Sequence, residues 1–171
     1  MNEKETGNPD AFAIFEKVIF LKKTQLFASI QTQAIGAIAE IAEEVTYAAG
    51  EHIVDEKDVG DAVFFIRKGR VAIKKKYQGE QTLDLATLSE GDCFGEMAIF
   101  DSQQRSANVV AETDCTLLRI KGDDLIDVIL DYPYIGIELL KIFIRRLRKA
   151  NATISSLSRT RDTGSQTNTG R

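Results

Sequence analysis

Histidine occurs once in this chain, as His52, and cysteine twice, as Cys93 and Cys115. A lone histidine cannot build a histidine-rich metal centre. The two cysteines form no CxxC pair and lie in apolar, strand-like surroundings, so neither a disulfide scaffold nor a zinc site is expected. His52 has no evident catalytic partner and reads as a strand residue. No apolar run is long enough to cross a bilayer. The opening MNEKETGNPD lacks the basic-then-apolar layout of a signal peptide, and the cytoplasm is the expected compartment. Net charge is −4, with no excess of positive charge to mark a whole-chain nucleic-acid footprint. What the chain does have is ordinary for a globular protein: 43% hydrophobic and 28% charged residues in 171. That length suits one domain, or one domain with added helices.

The pattern divides the chain. Residues 1–10 are polar and expected to be flexible. A domain is expected over 11–157, helical at 11–44, β-rich at 45–121 and helical again at 122–157. In the first segment Asp10 is placed to cap a helix. Phe15, Val18 and Ile19 share a face, a break falls near Lys22 to Thr24, and Ile35, Ile38, Ala39 and Ala42 recur at helical spacing. Between Val45 and Ile120, glycines at 50, 60, 69, 79, 91 and 95 separate short runs rich in β-formers. These runs are 63–66, 71–73, 82–86, 109–111 and 115–120. Turn signals at that spacing predict an all-β sandwich or barrel. Leu83 and Leu85 alternate with polar neighbours, as in a half-buried strand.

After Ile120, Gly122-Asp123-Asp124 offers a cap, Leu125, Val128 and Ile129 form a stripe, and Pro133 interrupts it. A long helix is expected from Tyr134 to Leu157. Its apolar residues include Ile137, Leu140, Ile144 and Leu147. Lys141, Arg145, Arg148 and Lys149 share a basic face that is either solvated or turned to an acidic partner. Residues 158–171 are polar, without periodicity, and expected to be disordered.

One stretch organises the rest: residues 94–107, FGEMAIFDSQQRSA. Gly95 lets the backbone turn sharply and a ligand approach closely. Glu96 to Phe100 fits one short helical turn. Arg105 supplies a planar fork suited to two phosphate oxygens. Ser106 adds a hydroxyl, and the small Ala107 leaves a backbone N–H accessible. Glu96 would be repelled by a phosphate unless it accepts a hydrogen bond from a sugar hydroxyl while balancing Arg105. The group reads as a cradle for a small anionic nucleotide.

The stretch resembles the phosphate-binding cassette of the cyclic-nucleotide-binding domain family, with its pattern F-G-E-[LM]-A-[LI], a short loop and R-[STA]-A. That family includes bacterial catabolite activators, regulatory subunits of protein kinase A, and nucleotide-gated channels. Residues 59–71, with Gly60-Asp61, Phe64, Ile66, Gly69 and Val71, match a second family pattern. The resemblance implies a mainly β fold: an eight-stranded, jelly-roll-like β-roll with N-terminal helices and C-terminal lid helices. It implies that Gly95 and Glu96 hold the ribose 2′-hydroxyl. Arg105 and Ser106 would hold the cyclic phosphate, assisted by amides of Met97, Ala98 and Ala107. By position against the family, Ile73, Leu85, Leu88 and Phe94 line the base pocket or serve as plain core. The family's final helix covers the base. Where catabolite activators place a Thr-Ser pair, this chain has Ala150 and Asn151, so Asn151 as a purine-edge contact and Arg148 as a stacking cation are the candidates.

The expected ligand is cAMP, since Arg105-Ser106-Ala107 matches the cAMP-binding activators. Ser106 also keeps a hydroxyl that holds guanine in other members, which leaves cGMP as the alternative. No cofactor, no metal and no enzymatic turnover are expected. A helix-turn-helix domain does not fit in the residues that follow the final helix, so DNA binding is not expected. The expected output is a sensor that signals through a protein partner, not identifiable from sequence, when ligand capture repositions the last helices. The alternative is a β-roll interaction domain that no longer depends on a nucleotide. The apolar stripe of the final helix suits either a homodimer seam or closure over its own pocket.

Overall fold

The computed structural model describes residues 9–76, 81–101, 104–141, 143–145, 147 and 148. Two helices, α1 (Pro9–Lys23) and α2 (Thr32–Ile41), precede six strands: β1 (Glu43–Tyr47), β2 (His52–Val54), β3 (Ala62–Lys68), β4 (Arg70–Lys76), β5 (Thr82–Ser89) and β6 (Cys93–Phe94). A short helix α3 (Glu96–Asp101) follows, then β7 (Asn108–Ala111), β8 (Cys115–Lys121) and α4 (Gly122–Asp131). A final helix starts at 134 and is followed to 148 in the described residues. The strands form two four-stranded antiparallel sheets, ordered β1-β8-β3-β6 and β2-β7-β4-β5. This is the expected β-roll with flanking helices.

The layering follows from side-chain alternation. Strand β3 is buried from Ala62 to Ile66, an unbroken apolar run, because both its faces are covered. Val63 and Phe65 point to the helices, joining Leu118 and Ile120 of β8 in one core with Phe27, Ile30, Ile35 and Ile38. Ala62, Phe64 and Ile66 point the other way, into the space between the sheets with Val71, Phe94, Val109 and Leu117. Period-two geometry thus makes one sheet the shared wall of two cores. The Phe27 and Phe65 rings, 5.1 Å apart and tilted by 31°, tie the α1–α2 junction to that wall.

Several local expectations are corrected. Helix α1 starts at Pro9, whose fixed φ suits a first helical position, so Asp10 lies in the first turn and not at the cap. Phe15 and Ile19 are exposed, since Leu21 and partly Ile14 and Val18 make the inward contact. Strand pairing begins at Glu43, opposite Arg119, slightly before the expected change of rhythm. Helix α4 is capped by Lys121 without a side-chain bond, and Asp123 and Asp124 fall in its first turn, where they complement the helix dipole. Strand β5 is an edge strand, and Leu83 and Leu85 are both exposed. Register accounts for Leu85: Ile73 pairs with Ala86 and Lys74 with Asp84, leaving Leu85 as the unpaired residue of a bulge.

Pro133 does separate two helices. α4 ends at Asp131, and Ile135 and Leu139 of the next helix are buried in the helical core. The opposite side of that helix leaves Ile137, Leu140, Ile144 and Leu147 exposed. Residues 149–157 of the expected helix, with Ala150 and Asn151, lie outside the described residues, as do 158–171.

Candidate functional site

A cavity of about 500 Å³ opens between the two sheets and the cassette. Small-molecule sites span about 300–1,000 Å³. Its apolar wall is Val54, Ile73, Leu88, Phe94 and Val109. Phe94 is also core, stacked on Phe64 with ring centroids 5.1 Å apart and planes at 12°. Both roles foreseen for it are therefore filled by one ring. The polar side is Gly95, Glu96, Arg105 and Ser106, with Met97 and Ala107 completing the rim.

The cassette is held from beneath. Gly95 adopts φ +85°, a left-handed conformation open to glycine, and turns the chain from β6 into α3. A Cβ built on it would lie 2.5 Å from Arg105 Nη1, so the missing side chain is what lets the guanidinium tuck underneath. Arg105 Nη1 donates to the Gly95 carbonyl at 2.9 Å and Nη2 to the Ala62 carbonyl at 2.7 Å. The backbone of Arg105 is fixed as well. Its N–H donates to the Asp58 carbonyl at 2.8 Å, and its carbonyl accepts from Lys57 N–H at 3.0 Å. Ala107 is buried beside it, and the Ser106 carbonyl accepts from Lys75 Nζ at 3.1 Å.

Arg105 is 7% exposed. Burial pulls its guanidinium down from the ordinary arginine value, while Asp61 and Glu96 pull it back up. Asp61 Oδ1 stands 3.8 Å from Arg105 Nη2, and Asp61 Oδ2 lies 2.9 Å from Arg119 Nη2. Arg119 in turn reaches Glu43, at 3.3 Å. The cavity's buried cation is thus the end of a charge chain running to the α2–β1 junction. A guanidinium carries five N–H donors in one plane. The two carbonyls occupy part of that set, and the remaining donors belong to a residue on the cavity wall.

The structure brings together Ile73, Leu88, Phe94, Gly95, Glu96, Met97, Arg105, Ser106 and Ala107 around this one cavity. Ala98 is the third residue of α3, with its backbone helical. Leu85 does not reach the cavity: Leu88 lines it, and period-two alternation puts a residue three positions earlier on the other face. Arg148 is also outside its lining and borders a separate shallow depression with Ser29, Glu138 and Lys141. Arg145 lines the main cavity in its place. Three residues amount to about 4.5 Å along a helix, enough to carry Arg148 past the opening. Sequence reasoning also missed Gln25, Val54 and Val109. A β-former at Val109 was legible; that Gln25 faces the same space, from a helix junction eighty residues upstream of Arg105, had no local signal.

Residues 44–132 match the family model described as the cyclic nucleotide-binding domain. The chain belongs to that family. Members similar to it include the cyclic AMP receptor protein of Thermus thermophilus, 30% identical over 138 residues, covering 81% of this chain and 64% of the relative. The chain therefore spans less than two thirds of that relative's length. The solved Thermus thermophilus catabolite activator protein superposes with a TM-score of 0.70 at 30% identity, over 78% of this chain and 62% of that one. The regulatory domain of Toxoplasma gondii PKA, solved with cAMP, shares the fold with a TM-score of 0.70 at 18% identity, over 81% of this chain and 51% of that one. No helix among the described residues is long and apolar enough to cross a membrane.

Proposed function

We propose that this cyclic nucleotide-binding domain is a cAMP sensor that binds its ligand without turning it over. One observation carries the reading: Gly95, Glu96, Arg105, Ser106 and Ala107 meet on the rim of a single cavity whose back wall is aliphatic and aromatic. The cation and hydroxyl suit the cyclic phosphate, the carboxylate suits the ribose 2′-hydroxyl, and the apolar wall suits a purine. The Arg105-Ser106-Ala107 run is what favours cAMP; the similar chains include both a cyclic AMP receptor protein and cGMP-dependent protein kinases. Calorimetric titration of the purified protein with each nucleotide tests this. Saturable heat with tighter binding of cAMP is expected. Absence of heat with both, from folded and ligand-free protein, defeats the reading and leaves a nucleotide-independent interaction domain. Heat that continues after saturation would expose turnover.

The helices after β8 are the output. Ile99 of α3 contacts Gly122 at the start of α4, and Ile135 and Leu139 pack the final helix onto the same core. Arg145 brings that helix to the cavity mouth. Ligand binding shifts the helices by as much as its affinity differs between their arrangements. The exposed Ile137, Leu140, Ile144 and Leu147 recur at three- and four-residue steps, which suits a seam with a second copy or a partner protein. Hydrogen exchange over residues 122–148 is expected to slow when cAMP is saturating. An identical exchange pattern with and without cAMP rejects the lid.

A further inference from the structure

We propose that Gln25, at the α1–α2 junction, reads the adenine edge and sets the preference for cAMP over cGMP. The inference rests on the nucleotide-binding reading above and adds a specificity residue from outside the β-roll. Gln25 lines the cavity, on a turn fixed by hydrogen bonds and buried neighbours. Thr24 is buried at 1% exposure, and its hydroxyl and N–H both donate to the Leu21 carbonyl, at 2.7 and 3.0 Å. Leu26 and Phe27 on the other side are buried in the helical core. Phe27 N–H and Ala28 N–H donate back to the Thr24 carbonyl. Gln25 itself is exposed, so buried neighbours fix its backbone while its amide stays available. A polar group on a preorganised support is what base discrimination requires.

The chemistry selects Gln25 among the polar groups not assigned to sugar or phosphate. An amide offers an acceptor and a donor side by side, which matches adenine N6–H and N7 and mismatches guanine O6 and N7, both acceptors. Arg145 offers donors alone, so it can bond N7 of either purine and pairs bidentately only with O6 and N7 of guanine; it cannot supply a preference for adenine. Asp92 is engaged in its own turn, accepting from Ser89 N–H at 2.9 Å. The junction that carries Gln25 also holds the lid: Ser29 Oγ donates to Glu138 of the final helix at 2.8 Å. A base seated against Gln25 therefore lies beside the point where the lid is fastened.

Titrating the full chain with cAMP and with cGMP, as wild type, Gln25→Ala and Gln25→Glu, tests the assignment. Gln25→Ala is expected to weaken cAMP at least fivefold while changing cGMP less than twofold. Gln25→Glu loses the donor for N7 and keeps an acceptor for N6–H, so it is expected to fall between wild type and alanine for cAMP. Melting temperatures of both variants, expected at the wild-type value for an exposed side chain, separate a lost contact from a damaged fold. Equal weakening of both nucleotides, or an unchanged ratio, overturns the role of Gln25 while leaving the nucleotide reading intact. Failure of the wild type to bind either nucleotide removes both.

Discussion

Arg105→Ala is expected to lower affinity for cAMP at least tenfold and to destabilise the empty protein. The first effect follows from the charge-assisted contact to the cyclic phosphate, worth about 1.5–3 kcal/mol. The second follows from geometry. The guanidinium serves the carbonyls of Gly95 and Ala62, and its removal leaves both without that partner in a buried region. An unsatisfied buried acceptor costs about 1–3 kcal/mol. Arg105→Lys separates the two roles, because an ammonium restores charge and lacks the planar fork that reaches both carbonyls. Calorimetry reads the affinity, and denaturant unfolding without ligand reads the stability. Wild-type affinity in Arg105→Ala would show that the cassette is not the phosphate site.

Gly95→Ala is expected to reproduce much of that loss without replacing any charged group. The residue sits at φ +85°, and a new Cβ would lie 2.5 Å from Arg105 Nη1 and 2.9 Å from the Ala62 carbonyl. The backbone alone costs about 1–2 kcal/mol for a residue with a side chain. The collision must then be relieved, and the backbone carbonyl of Ala62 is not a flexible group that can step aside. Displacing the guanidinium breaks both of its carbonyl bonds and moves it from the cavity rim. A total loss of about 2–5 kcal/mol in stability and at least tenfold in affinity is expected. Gly50→Ala is the matched control. That glycine has φ +90° with nothing within 4 Å of its added Cβ, so it carries the backbone cost without the collision. Equal effects of the two substitutions on affinity would refute the packing argument.

The parts of this structure that sequence made legible are those written in consecutive residues. Gly95, Glu96, Arg105 and Ser106 announce the cassette because a sharp turn, a carboxylate, a planar cation and a hydroxyl fall in one short span. Strands β3, β4, β7 and β8 declare themselves through β-branched and aromatic runs between turns. Illegible were the features set by pairing across the chain. Which face of β5 turns to the cavity is set by pairing with β4: Ala86 opposes Ile73 and Leu88 opposes Val71, so Leu85, of the other parity, is not in the lining. Arg145 and Arg148 are equivalent on a helical wheel, and docking of Ile135 and Leu139 decides which one reaches the cavity. Nothing in the neighbourhood of Gln25 hints at a nucleotide; the Phe27–Phe65 contact brings it there. The Asp61 link to Arg105 is of the same kind, since it depends on β3 and β8 lying side by side.

One contact has a mechanical meaning. The space that a Cβ of Gly122 would fill is taken by Ile99, whose Cγ1 and Cγ2 would lie 3.2 and 3.3 Å from it. The first residue of α4 is thus a socket, and a side chain of the cassette helix is the tooth that sits in it. Under the proposed lid mechanism, a rotation of α3 would act on α4 at its root. Ten residues of helix make an arm about 15 Å long, so each 4° of tilt at the socket carries the far end, next to Pro133, through about 1 Å. In that proposed mechanism the small size of residue 122 would set the gearing between a movement at the ligand and the stroke of the final helix.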